Sequence, residues 1–184
     1  MGTNQRDASA GGDIVGRDKT VHVHLPSNQY PSKLALLKAR LQRDLADGEA
    51  QAVLDKLQRF AQRIPVDGIS GLEAKLQHAH RTDQTMRALE MKEQFAKLLE
   101  SWSLYASAQD IFVHLLTKVD LLFDQQIRPL LGELDVRQVD ELTEKLIVTP
   151  IIDECGIEVF DLDYHTAMGM VYWLADRCYV SWHK

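Results

Sequence analysis

Two cysteines in 184 residues, Cys155 and Cys178, are too few for a disulfide framework, so this chain must be held together by packing. No run reaches the roughly 18–20 consecutive apolar residues that a bilayer-spanning helix requires. The first residues, Met1-Gly2-Thr3-Asn4-Gln5-Arg6, lack the charged-then-apolar layout of a signal peptide. A cytoplasmic protein with reduced thiols and no membrane association is therefore expected. Also missing is any Gly-x-x-x-x-Gly-Lys-Ser/Thr loop, which excludes P-loop nucleotide binding, and any Gly-x-Ser-x-Gly nucleophile elbow. No repeat of solenoid length is present.

Positive charge is scarce as well. The chain carries 21 Lys and Arg against 27 Asp and Glu, for a net charge of −6. Residues 31–64 are the exception, with seven basic and four acidic side chains, whereas residues 65–184 hold eleven basic and twenty acidic ones. Lys33, Lys38, Arg40 and Arg43 form only a mildly basic patch, which reads as a solvated helix face. Direct nucleic-acid binding by the acidic remainder is disfavoured, because phosphate contact depends on clustered Lys and Arg. What is abundant is apolar surface: 45% of residues are hydrophobic, enough for one main domain with a real core.

The apolar spacing divides the chain into residues 1–30, a Gly-rich extension of strand character, residues 31–150, a helical body, and residues 151–184, a terminal element completing the same domain. In the extension, Asp13-Ile14-Val15 and Val21-His22-Val23-His24-Leu25 are punctuated by Gly12 and Gly16. A lone two-stranded ribbon is marginal in water, and the body offers no long sheet to join. Gly12, Asp13, Ile14, Val15, Gly16, Val21 and Val23 are thus expected to pair between copies, giving a homo-oligomer, or to dock on another protein.

From Pro31 onward the helical period dominates. Leu34, Leu37, Leu41 and Leu45 mark a first helix ending at Asp47-Gly48; Val53, Leu57, Phe60 and Ile64 mark a second, ended by Pro65. Ser70 and Glu73 fit a capping box for a short helix running to about His80. Ala88, Met91, Phe95, Leu98 and Trp102 define a long amphipathic helix. Ser107 could cap the next one, whose broad apolar face from Ile111 to Phe123 suggests the most buried helix, weakened or ended by Pro129 and Gly132. Val136, Val139, Leu142 and Leu146 form another, expected to stop at Pro150. Ile157, Val159 and Phe160 suggest a strand that would pair with Cys178–Trp182, with a helix around Thr166–Leu174 between them. The fold class is mainly α: a bundle of five or six helices with an N-terminal β-ribbon and a small C-terminal helix-plus-strand element.

Catalytic constellations are thin. Asp67, Glu73 and Lys75 stand in the order of a metal-dependent nuclease, but such carboxylates belong on strands, and here Glu73 and Lys75 lie in a helical stretch where they point apart. They read as surface charges. His22 and His24 would share a strand face, His78 and His80 would diverge on a helix, and Cys155, His165, Cys178 and His183 lack the close pairing of a zinc site. Cys178 beside His165 or His183 could pair nucleophile with base, yet Trp173 and Leu174 imply an apolar setting that quiets a thiol. No catalytic residue, metal or cofactor is expected, and the chain is read as not an enzyme.

The most informative stretch is Met168–Trp182. Period-two alternation would place Cys178, Val180 and Trp182 on one face and Tyr179, Ser181 and His183 on the other. A buried aromatic removes roughly 150–250 Å² from water, so Tyr172, Trp173, Tyr179 and Trp182 must dock on the domain or on a partner. The pattern Gly-Met-x-Tyr-aromatic-Leu, a turn, then Cys-x-hydrophobic-x-Trp is carried by Gly169, Met170, Tyr172, Trp173, Leu174, Cys178, Val180 and Trp182. It resembles the terminal signature of the C-terminal module of ABC-three-component (Lamassu-like) bacterial defence proteins. Ala175-Asp176-Arg177 stands where that family often has Thr-Gly, and Tyr179 where histidine is common. Gly11-Gly12-Asp13-Ile14-Val15-Gly16-Arg17-Asp18 is similar to a Gly-Asp-hydrophobic-x-Gly-x-Asp motif of such modules.

The resemblance implies a non-catalytic assembly or adaptor module of an anti-phage system, connecting an effector to an ABC-type ATPase and a middle component. Gly169, Met170, Tyr172, Trp173, Cys178, Val180 and Trp182 would then be either structural or partner-binding. No segment ahead of the module resembles an effector domain, so a stand-alone adaptor and a piece of a longer effector both stay open. A small metal-dependent hydrolase or nuclease and a generic oligomeric scaffold are the alternatives.

Overall fold

The computed structural model describes residues 31–47, 56–65, 67–156 and 160–183. The expected ribbon, including Gly12, Asp13, Ile14, Val15, Gly16, Val21 and Val23, lies outside the described residues. Apolar positions three and four apart produce helices along most of the rest: α1 (Lys33–Asp47), α2 (Leu72–His78), α3 (Thr85–Ser101), α4 (Ala106–Leu122), α5 (Val136–Thr143), α6 (Thr149–Cys155) and α7 (Tyr164–Asp176). The protein is mainly α, and among the described residues there is no strand.

The expected C-terminal strand is therefore corrected. α7 ends in a tight reversal: the Cys178 amide donates to the Ala175 carbonyl at 3.1 Å and the Tyr179 amide to the Leu174 carbonyl at 2.9 Å. This pairing requires Cys178 to adopt a left-handed backbone, with φ 65°, which ends the helix without entering a sheet. Of the strand expected to pair with it, Ile157 and Val159 lie outside the described residues, and Phe160 sits in a turn. The expected alternation of faces fails accordingly. Tyr179, Val180 and Trp182 are buried together, while Cys178 is half-buried.

Pro150 does not stop its helix. The turn Glu144–Val148 widens to π geometry, and the Thr149 amide reaches back to the Glu144 carbonyl. Widening the turn opens room for a residue that lacks an N–H and would crowd the preceding turn, so α5 runs on into α6. Pro129 is preceded in the same register: Phe123–Ile127 forms a π turn and the Arg128 amide donates to the Phe123 carbonyl.

Two caps also differ. α2 begins after Gly71, and the Leu72 amide is capped by Asp176 Oδ1 at 3.1 Å, so α7 supplies the acceptor expected of Ser70. Tyr105, not Ser107, precedes α4; Ser107 is inside it and donates to Asp44 of α1 at 2.5 Å. Of the second expected helix, the described part is a 3-10 segment, Lys56–Phe60, after which the chain is irregular to Pro65.

The core centres on α7. Every residue from Ala167 to Ala175 is buried, more completely than on α4, whose buried set follows one broad face. Phe95 of α3 meets Trp173 edge to face at 5.9 Å and Phe112 of α4 at 6.1 Å. Phe112 continues to Phe160 at 4.7 Å. The two edge-to-face contacts of Phe95 add about 0.5–1.5 kcal/mol each beyond area burial.

Candidate functional site

The residues of the terminal signature divide by role. Gly169, Met170, Tyr172 and Trp173 lie on the buried length of α7, and Val180 and Trp182 follow the reversal into the core. Trp182 packs on Tyr172 at 5.8 Å and Phe123 at 6.2 Å and is 7% exposed. Tyr179 packs on Phe60 at 5.3 Å, and its hydroxyl donates to the Arg59 carbonyl at 2.7 Å. Burial pushes the Tyr172 phenol up to about 12.

Two basic side chains and one backbone amide fasten the reversal. Lys75 is 2% exposed, and its ammonium donates to the carbonyls of Ala175 at 2.5 Å and Val180 at 3.0 Å, one on each side of the turn. Arg128 donates to the Tyr179 carbonyl at 3.0 Å. The Arg63 amide donates to the Arg177 carbonyl at 3.1 Å. Cations at a helix C-terminus face the negative end of its dipole, so Lys75 is suited to this position. Burial lowers its affinity for the proton below the ordinary lysine value, opposed by the thiol of Cys178 and the carboxylates of Asp67 and Asp176.

Lys75 was expected at the surface with Asp67 and Glu73; the structure buries it and leaves Glu73 exposed, so the two do point apart. A cavity of about 420 Å³ is lined by Pro65, Asp67, Lys75, Arg128, Cys178, Ser181 and His183. His183 Nε2 lies 2.6 Å from Asp67 Oδ2, and a hydrogen bond from the Ile69 amide, more than the imidazole, holds the Asp67 carboxyl below its usual range. Ser181 Oγ is 3.0 Å from Nδ1 and 3.1 Å from Nε2 of His183, nearly equidistant from the two nitrogens and so in line with neither. That is not the in-line hydrogen bond by which an imidazole takes a serine proton. His165 sits on the first turn of α7, at the opposite end of the helix from Cys178. Burial raises the Cys155 thiol. Among the described residues, no three His, Cys, Asp or Glu side chains are placed to hold a metal ion.

Sequence reasoning missed Lys75 as a core residue, Asp176 as a cap, and a set of arginines around the aromatic cluster. Arg177 lies over the Trp173 ring and Arg63 over the Tyr179 ring, each at 3.6 Å, and Arg59 over Phe60 at 5.5 Å. The signal was the departure Ala175-Asp176-Arg177 itself, which sets a carboxylate and a guanidinium at the end of α7.

Among the described residues, no helix is long and apolar enough to cross a membrane. No curated protein and no solved structure matches the chain. The family model for C-terminal domain 9 of the ABC-three component (ABC-3C) systems matches residues 71–182, from the residue before α2 to the buried Trp182, and the chain belongs to that family.

Proposed function

We propose that this chain is a non-catalytic assembly module that links an effector to an ABC-type ATPase and a middle component of an anti-phage ABC-3C system. The observation that carries this reading is the family match over residues 71–182. The way the signature residues are used supports it: they build α7 and its terminal reversal, a rigid core from which the surrounding surface is presented. Residues 11–25 are proposed to add self-association through strand pairing, in the cytoplasm.

Co-purification tests the reading. The full chain is expected to bring down an ABC-type ATPase and middle component expressed from the same system, and failure to retain either overturns it. The non-catalytic part has its own test. Purified protein with Mg²⁺ or Mn²⁺ is expected to leave DNA, RNA and ATP intact; turnover that disappears on Glu73→Ala overturns it in favour of a hydrolase or nuclease. Light scattering of the full chain against one starting at Pro31 tests the oligomer, which is expected to be lost with the extension.

A further inference from the structure

Arg59, Arg63 and Arg177 are neighbours on one aromatic cluster. Phe60 touches both Trp173, at 6.3 Å, and Tyr179, at 5.3 Å, and each of the three rings carries one guanidinium. Backbone contacts fix the set: the Arg63 amide bonds the Arg177 carbonyl, and the Tyr179 hydroxyl bonds the Arg59 carbonyl. In a chain with 27 Asp and Glu, no carboxylate among the described residues forms a salt bridge with any of the three. The acidic groups nearby act on the three only through space, Asp120 on Arg63 and Arg59 and Asp176 on Arg177, without a direct ion pair. Asp124 pairs with Arg128 at 3.1 Å, and Asp176 pairs with Lys92 at 3.2 Å while capping α2. Asp120 is half-buried.

A guanidinium laid on a ring satisfies its face and leaves its edge donors free in a planar fork, the geometry that receives a carboxylate bidentately. Beside Arg177 lies a cavity of about 550 Å³ with a mixed lining, in which Leu57, Leu99 and Trp173 stand with Gln58, Gln62 and Asp176. Ile64, next to Arg63, is 93% exposed. Arg59 and Arg63 precede the stretch matched by the family, so most of this charge is supplied by the part of the chain that the family match leaves uncovered.

We infer that this face is a docking surface for an acidic polypeptide segment of a partner protein, one that sets an apolar side chain into the cavity between Asp or Glu residues. Charge complementarity selects the carboxylates, and the apolar part of the lining, with the exposed Ile64 beside Arg63, selects a polypeptide over a phosphate backbone, which has no apolar group to place there. The net charge of −6 also opposes a long polyanion such as nucleic acid, whose binding needs a longer basic track. For the partner's identity, though not for the site, the inference rests on the assembly reading.

The test uses the full chain and its Arg59→Glu/Arg63→Glu variant, with Arg59→Gln/Arg63→Gln as a milder second variant. Both side chains are exposed, so melting temperature should be retained. Fluorescence anisotropy measures binding of a short labelled peptide of glutamates with leucine at helical spacing, and of an oligothymidylate. The acidic peptide is expected to bind and to weaken on the order of tenfold or more with charge reversal, since like charges across an interface are strongly unfavourable. Equal peptide binding by wild type and variant, or none by either, overturns the inference. So does oligothymidylate binding that is stronger than the peptide's and lost on reversal. Co-purification with the ATPase and middle component separates the two readings. If they bind wild type and the Glu variant alike, the docking surface is refuted and the assembly role stands; if they bind neither, the assembly role fails and the peptide result still decides the surface.

Discussion

Gly169 of α7 lies so close to Met91 of α3 that a Cβ built on it would stand 2.3 Å from the Met91 carbonyl oxygen, with Phe95 Cβ at 2.9 Å. The first is helix backbone and the second a Cβ fixed directly to it, so neither can rotate away. The α3–α7 contact, which carries the Phe95–Trp173 pair, therefore depends on glycine at this point. Gly169→Ala is expected to cost about 3 kcal/mol or more, at the upper end of overpacking penalties, because the helices must separate to admit one methyl group. Denaturant unfolding of the two proteins measures it; a loss below about 1 kcal/mol would show that the helices separate freely.

His80 gives the opposite sign. It closes α2 as Cys178 closes α7: the His80 amide donates to the Gln77 carbonyl at 3.2 Å, the Arg81 amide to the Leu76 carbonyl at 2.8 Å, and His80 takes φ 55°. A left-handed backbone costs a non-glycine residue roughly 1–2 kcal/mol, and glycine returns about 0.5–1 of that through the freedom of the unfolded chain. His80 is exposed, so little packing is lost. His80→Gly is expected to raise the melting temperature by about 1–4 °C, checked by calorimetry.

The same features show what the sequence discloses and what it hides. The α3 face of Ala88, Met91 and Phe95 was legible because helical spacing is a local property, and all three are buried. The signature pointed to the right family for the same reason: Gly169 to Trp182 is one short run. Cys178–Trp182 misled because alternating apolar residues suit a strand, whereas burial there is set by Phe60 and Phe123 from distant parts of the chain and by Tyr172 once α7 reverses. Pro150 misled because a π turn can absorb what an α turn cannot. Lys75 was illegible: its acceptors lie 100 and 105 residues away, and nothing local distinguishes it from a surface lysine.

Tyr172 links burial to alkaline stability. Its folded phenol is pushed up to about 12 by burial, above the ordinary 10. Between those values the unfolded chain gives up a proton that the folded one retains, so stability present below pH 10 is lost as pH rises toward 12. Two units correspond to about 3 kcal/mol. Tyr172→Phe is expected to lose less stability than wild type over that range, measured by denaturant titration at a series of alkaline pH values; parallel curves would refute it.

Lys75 responds in the other direction, and the two can be told apart. Burial depresses its folded value below 10.5, so as pH rises toward 10.5 the folded protein releases a proton that the unfolded chain still holds. Stability from this group therefore increases across that window, reaching its full value at the unfolded pKa. Lys75→Met keeps the length of the side chain but removes both the titration and the two donors. At neutral pH it leaves the Ala175 and Val180 carbonyls without their ammonium partner, for a loss of about 1–3 kcal/mol. The deficit relative to wild type is expected to grow as pH rises toward 10.5, because only wild type gains. Hydrogen exchange locates the damage: amides of Cys178 and Tyr179, which close the reversal, should exchange faster in the variant while those of α4 keep their protection. Uniform acceleration across the helices would mean that Lys75 supports the whole fold rather than fastening its terminal turn.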